Sequence, residues 1–332
     1  MRLVAAPDKL RGTATAAQAA FAICRAADAA GWWYDEVPVA DGGEGTLDVL
    51  GGANRETVVT GPLGDPVRAG WRYGHTAVIE MALASGLSLA GGPEGNDPMA
   101  ASSVGTGELI ATAIDAGCKR ILVGVGGSAT TDGGLGALRA LEPLARVKGI
   151  AINVACDVRT TFVDAARVFA PQKGATPSQV KLLERRLERL AQVYEEEYGV
   201  DVRDVAGSGA AGGLAGGLLC AGARLLGGFD LVADELELHD TIEGADLVVT
   251  AEGFLDEQSF DGKVVGGVHE LASANGIPTL AVVGEVLDDV EVPADLAVVS
   301  LVERFGEARA RNDTLACIEE AVLEHLREIS GR

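Results

Sequence analysis

The chain has 332 residues, with 27 Lys plus Arg against 49 Asp plus Glu and a formal net charge of −22. That length predicts about two domains and a core large enough to need no disulfide or metal staples. A field of this sign repels phosphate backbones and anionic lipid, which argues against a nucleic-acid partner and against a membrane-surface protein.

Residues 2–6 read as a short buried strand, followed by a polar loop at 7–13 and an Ala-rich helix to residue 30. Thr13 or Thr15 could cap that helix, and Gly31 sits where a terminating glycine belongs. A second strand, 33–39, runs into a glycine-rich loop at 40–46. This rhythm predicts a parallel sheet with helices on both faces. Strand-like pieces at 57–60, 67–73 and 77–81, split by the turn residues 61–66, predict antiparallel or mixed pairing and a crossing into a second domain.

A helix near 105–116, a strand at 120–125, a glycine-rich loop at 126–134, a helix at 135–141 and a strand at 150–156 continue the alternation. Residues 178–198 form the clearest amphipathic helix, with Val180, Leu183, Leu187, Leu190, Val193 and Tyr194 spaced by threes and fours. Residues 207–213 open another helix. Strands at 246–250, 279–283 and 296–301 and helices at 264–276 and 314–330 complete the chain. The expectation is two interleaved α/β domains with mostly parallel sheets flanked by helices. Residues 1–65 plus 240–332 would make a discontinuous Rossmann-like domain, and 66–239 an inserted one.

The uncharged run 205–223 approaches the length of a bilayer span. Its seven glycines and three leucines give too little apolar bulk for one. The five cysteines (Cys24, Cys118, Cys156, Cys220, Cys317) include no C-x-x-C pair, and the four histidines are scattered. Both facts point to a reducing, cytoplasmic setting without a zinc framework.

Glycine is in excess, 45 residues, about twice the usual share. Three clusters follow strands or open helices: 39–46, 124–134 and 207–213. Glycine lets main-chain N–H groups approach an oxyanion, and strand C-termini of parallel sheets collect ligands. No cluster has the G-x-x-x-x-G-K-[ST] pattern or a clean G-x-G-x-x-G with its distant acid. Three clusters in one chain favour a phosphate-bearing ligand over tight packing turns.

Cations stand in loops with Gly or Pro at Lys9, Arg11, Lys173 and Lys263, where they could clamp an anion or simply meet solvent. As clamps, Lys173 and Lys263 would each lose about 10²-fold in kcat/KM on replacement by Ala, with the melting temperature almost unchanged as at exposed positions. Acids fall at strand ends: Asp8, Asp41, Glu44, Asp132, Asp157, Glu252 and Asp256. Phosphoryl transfer needs Mg²⁺ on one or two carboxylates and a base for the attacking hydroxyl. Helix capping is the competing explanation for Asp8, Asp132 and Asp157. In Asp41-Gly42-Gly43-Glu44-Gly45-Thr46 one acid would cap the following helix, leaving Asp41 spare for chemistry.

These residues resemble the class I glycerate kinase family. The resemblance rests on Ala6-Pro7-Asp8-Lys9-Leu10-Arg11-Gly12-Thr13, Ala40-Asp41-Gly42-Gly43-Glu44-Gly45-Thr46 and Gly105-Thr106-Gly107-Glu108-Leu109-Ile110. Gly126-Gly127-Ser128-Ala129-Thr130-Thr131-Asp132-Gly133-Gly134, Ala155-Cys156-Asp157-Val158 and Pro171-Gln172-Lys173-Gly174-Ala175 follow in order. Gly209-Ala210-Ala211-Gly212-Gly213-Leu214 and Glu252-Gly253-Phe254-Leu255-Asp256 complete the set.

The resemblance implies an ATP-dependent kinase for D-glycerate, a two-domain α/β fold with its active site between the domains, and 2-phosphoglycerate as the usual bacterial product. The chain departs from the pattern at Lys9-Leu10-Arg11-Gly12, at Phe254 where an arginine is usual, at Arg159-Thr160-Thr161-Phe162, and between Leu141 and Ile150, where longer members carry an extra segment. A related hydroxy acid as substrate, or an inactive binding sensor, remains the alternative.

Residues and resemblance together assign catalysis to Asp41, Glu44 and Asp157. Substrate and phosphate binding falls to Asp8, Lys9, Arg11, Gly126, Gly127, Ser128, Lys173, Gly209, Gly212 and Lys263. Metal binding falls to Asp132, Glu252 and Asp256. ATP and Mg²⁺ are the expected cofactors, glycerate the partner, and the chain a monomer or homodimer.

Overall fold

A computed structural model describes residues 1–10, 12–287 and 290–331. Its strands are β1 (Arg2–Ala5), β2 (Trp33–Glu36), β3 (Arg55–Thr60), β4 (Pro66–Trp71), β5 (Ala77–Glu80), β6 (Arg120–Gly124), β7 (Ala151–Ala155), β8 (Arg224–Leu226), β9 (Leu247–Leu255), β10 (Thr279–Val286) and β11 (Leu296–Ser300). The helices used below are α1 (Ala16–Ala29), α2 (Thr46–Val49), α3 (Val104–Asp115), α4 (Leu135–Ala140), α5 (Pro177–Tyr198), α6 (Ala210–Cys220), α7 (Val264–Ala274) and α8 (Thr314–Ser330). The architecture is α/β, with parallel sheets flanked by helices.

Two compact units divide the chain: Met1–Asp41 with Phe229–Arg332, and Gly42–Gly228. These boundaries differ from the expected ones after residue 65 and before residue 240. The β3–β4 hairpin and α2 go with the second unit because they pack on α3 and on β5.

The first unit holds a five-stranded parallel sheet in the order β11-β10-β9-β1-β2. Leu280 and Val282 on β10 pack with Ile23 of α1 and with Ile318 and Val322 of α8. Ala281 and Val283, alternating with them, pack with Val265 of α7 on the other face. Burial on both faces explains why these strands read as continuous apolar runs. Thr15 caps α1 in a capping box with Gln18.

The second unit holds a four-stranded parallel sheet, β5-β6-β7-β8, and the antiparallel β3–β4 pair. Ile79, Ile121, Val123, Ile152 and Val154 carry its core, with Leu109, Leu138, Leu187, Leu214 and Phe162 from the helices. α5 has a Thr176–Gln179 capping box and ends on Gly199 at φ +69°. The uncharged run 205–223 becomes mostly α6, buried in this core. Among the described residues no helix is long and apolar enough to cross a membrane.

Candidate functional site

In the first unit, the expected residues gather where β1 and β9 end side by side. The main chain keeps pairing past the strand: Ala6 N–H donates to Val249 O and Asp8 N–H to Ala251 O, both at 2.8 Å. That register sets Asp8 next to Glu252. Asp8 Oδ1 accepts the Lys9 N–H at 2.7 Å and lies 4.0 Å from Lys9 Nζ. Burial, with the nearby Asp41 charge, outweighs Lys9 and pushes the Asp8 carboxyl up to about 6.

Glu252 is 8% exposed, and its Oε1 has no hydrogen-bond partner. Burial pushes its carboxyl up to about 7; Ser259 and Lys263 oppose the shift, and Asp8 and Asp256 add to it. Asp256 caps the turn Glu257–Phe260, its Oδ1 accepting from Ser259 N at 3.0 Å. Lys263 precedes the first residue of α7. Asp41, the last residue before the chain leaves this unit, faces the same group through its charge on Asp8. Arg11 lies outside the described residues.

In the second unit, the 42–46 loop crosses the ends of β6 and β7. Gly42 has φ +81°, and a Cβ there would lie 2.4 Å from the Ala155 Cβ, so no side chain fits. Gly126 lies against Gly43 and Glu44 of the same loop. The cap of α2, expected from Glu44 with Asp41 spare, comes from elsewhere. Buried Glu80, at the end of β5, accepts Gly45 N–H and Leu47 N–H on one oxygen, Oε1. Glu80 was missed because nothing in sequence links a strand-end acid to a loop 35 residues earlier. Asp157, following β7, accepts the Gly228 N–H at 2.6 Å.

The loop after β6 carries Gly127, whose carbonyl accepts Leu87 N–H at 2.8 Å, and Ser128, which bridges to Gly86. Lys173 is not a solvated loop cation. It is 2% exposed and donates to Ser128 Oγ and to Thr130 O.

Asp132 and the glycines at the start of α6 lie in the same unit. The Asp132 carboxylate accepts Ser103 N and Oγ at 2.9 Å, Ser102 Oγ at 3.4 Å, Gly136 N at 3.2 Å and Gly134 N at 3.1 Å. Three of these donors stand just before α3 and two at the start of α4, so Asp132 ties the two helix starts together. Gly212 has φ +67°, and a Cβ there would lie 2.0 Å from Thr130 O. Gly209 likewise abuts Thr161 O. Both pack against neighbouring main chain, and the backbone of α6 is non-helical at residues 211–213. Among the described residues no three His, Cys, Asp or Glu side chains form a metal cage on their own. A groove of about 740 Å³ between β3, α3 and α4 is lined by none of the expected site residues.

Acids, lysines and glycine-rich loops at the C-terminal ends of parallel strands define an α/β enzyme for a small charged ligand. The profile of the glycerate kinase family matches residues 3–145 and 142–330. The chain is 39% identical to the glycerate 2-kinase of Escherichia coli K12, over 88% of this chain and 87% of that one. It is 38% identical to the glycerate kinase of Haemophilus influenzae, over 92% and 93% respectively. A crystal structure from Salmonella typhimurium LT2 carrying the name glycerate kinase 2 superposes with TM-score 0.84 at 32% identity, covering 100% of this chain and 98% of that one. The chain belongs to the glycerate kinase family and is a kinase. The two profile stretches meet at 142–145, within the segment where a stretch of longer members was expected to be missing.

Proposed function

We propose that the chain transfers the γ-phosphoryl group of ATP to a hydroxyl of D-glycerate, giving 2-phosphoglycerate. The carrying observation is the buried Glu252 carboxylate, with its unpartnered Oε1, beside Asp8. Two desolvated acids at one strand end are costly as anions, and a bound cation reverses that cost. An oxygen-only donor set suits Mg²⁺, which takes one or two carboxylates and completes its shell with substrate phosphates and water. Glu252 and Asp8 would hold it. Bound there, Mg²⁺ would offset phosphate charge.

Lys9 and Lys263 flank the acids and suit the remaining charge of an anionic substrate pair. Asp41, beside Asp8, would accept the hydroxyl proton as that oxygen bonds to phosphorus and the bridging oxygen leaves with ADP. The relatives named glycerate kinase support the acceptor. A reducing cytoplasmic setting fits five free cysteines, four of them buried.

Phosphorus NMR of a reaction with D-glycerate and MgATP tests this reading. A phosphate ester coupled to the single C2 proton supports it. Coupling to the C3 methylene protons would move the phosphate to the other hydroxyl. No ester with glycerate, at half-exposed Phe254 in place of the family's arginine, would favour a different hydroxy acid or a sensor.

A further inference from the structure

Lys173 is an unusual cation for its surroundings. It is 2% exposed, and Nζ donates to Ser128 Oγ and to the Thr130 carbonyl, each at 2.7 Å. No described carboxylate lies within ion-pair distance of it, and Asp132 acts only through its longer-range charge. A buried charge held by two neutral acceptors is destabilising, and apolar side chains of similar volume often replace such charges without loss.

The main chain of the 127–129 loop is anchored without the ammonium. Leu87 N–H donates to Gly127 O at 2.8 Å, and Ala129 N–H donates to Ser85 O at 3.0 Å. The Asn96 amide donates to Ala129 O and Lys173 O, at 3.0 and 2.9 Å, which ties the two segments through backbone carbonyls. What the ammonium adds is the state of one hydroxyl. By donating into Ser128 Oγ it occupies a lone pair, turns the O–H proton away from itself and polarises that O–H. Ser128 stands just beyond the C-terminal end of β6, where ligands of parallel sheets collect.

We propose that Lys173 is a positioning residue: its buried amino group holds the Ser128 hydroxyl as a hydrogen-bond donor to an anionic oxygen of a ligand on the 126–131 loop. This rests on the kinase reading, whose two ligands each bring such an oxygen, a nucleotide phosphate or the glycerate carboxylate. Lys173 then never touches the ligand. Its amino group acts through Ser128.

The test is equilibrium titration of the full chain with a non-hydrolysable ATP analogue plus Mg²⁺ and, separately, with D-glycerate. Wild type, Lys173→Met, Ser128→Ala and the double variant are compared, with steady-state kinetics and melting temperatures. One of the two affinities should fall about tenfold in each single variant, on the scale of one hydrogen bond to a charged group. The double variant should fall no further, and the KM for the same ligand should rise by a matching factor. The melting temperature of Lys173→Met should not drop, because an uncompensated buried charge has been removed. A loss in the nucleotide titration assigns the oxygen to phosphate; a loss in the glycerate titration assigns it to carboxylate.

Unchanged affinities in Ser128→Ala overturn the proposal, as do single-variant losses that multiply in the double. If Lys173→Met does not fold, Ser128→Ala alone decides. Wild-type chain that binds both ligands without turning over glycerate counts against the kinase reading alone. Wild type that binds neither overturns both.

Discussion

Glu80 Oε1 accepts the Leu47 N–H at 2.6 Å, so a strand-end acid fixes the start of α2 from outside the helix. The same oxygen takes the Gly45 N–H at 3.0 Å, which pins the chain on the far side of Glu44 from Asp41. Glu80→Ala should leave both donors unpaired and cost about 1–3 kcal/mol, read by denaturant unfolding. Turnover should fall with it, since Glu44 loses its anchor. Glu80→Gln keeps a carbonyl acceptor and should lose less in both. Wild-type values for Glu80→Ala would show that the loop is fixed by other contacts.

Two glycines with similar backbone angles should respond differently to alanine. Gly212 has φ +67°, and an added Cβ would lie 2.0 Å from Thr130 O. Gly262 has φ +80° and open space around it. Gly262→Ala should cost about 1 kcal/mol, the left-handed penalty alone. Gly212→Ala should cost about 3 kcal/mol or more, because the main chain of residues 130–131 must move. Equal losses in the two unfolding curves would contradict the packing role given to Gly212.

Lys173 should leave a mark on the pH dependence of stability. Burial depresses its folded pKa from 10.5 to about 7. Between those values the unfolded chain binds the proton and the folded chain does not, so this group makes stability rise with pH across that window. Below about pH 7 both states are protonated and the penalty is complete. The wild-type melting temperature, minus that of Lys173→Met, should climb from about pH 7 to about pH 9. A flat difference would mean that the ammonium is better solvated than its burial implies.

Asp8 and Glu252 should act in the opposite sense and in a lower window. Their folded pKa values stand at about 6 and about 7, above the ordinary 3.8 and 4.5. The folded chain therefore holds protons that the unfolded chain has released, and the stability these protons give is lost as pH rises through 6 to 7. Excess Mg²⁺ should raise the melting temperature more at about pH 8 than at about pH 5. Glu252→Gln should remove most of that gain while stabilising the metal-free chain at the higher pH. A Mg²⁺ effect independent of pH and of Glu252 would place the ion elsewhere.

Much of the fold was legible because period and punctuation agree. Thr15, one of the two expected caps, starts α1 with Gln18 completing the box, and α8 falls on the expected residues 314–330. Parallel strands buried on both faces, such as β9 and β10, announce themselves as apolar runs, though β9 continues to Leu255, beyond the expected end at residue 250. The short helices and the unit boundary at Asp41/Gly42 were not legible, since packing of the β3–β4 hairpin on α3 sets them and not local sequence.

Residue types at the site were legible, but their partners were not. Asp132 reads as a strand-end acid and Lys173 as a loop cation, but sequence does not show that one accepts from the starts of α3 and α4 or that the other is buried against Ser128, and Glu80 gives no signal at all.

Glycerate phosphorylation through the strand-end acids of the first unit is read by ADP release from MgATP with and without D-glycerate, in wild type and Asp41→Asn. Wild type should release ADP in a glycerate-dependent way. Asp41→Asn should lose about 10²- to 10⁴-fold with nucleotide binding retained, the usual worth of acid–base help. ADP release by wild type that ignores D-glycerate, or an undiminished rate in folded Asp41→Asn, would contradict it.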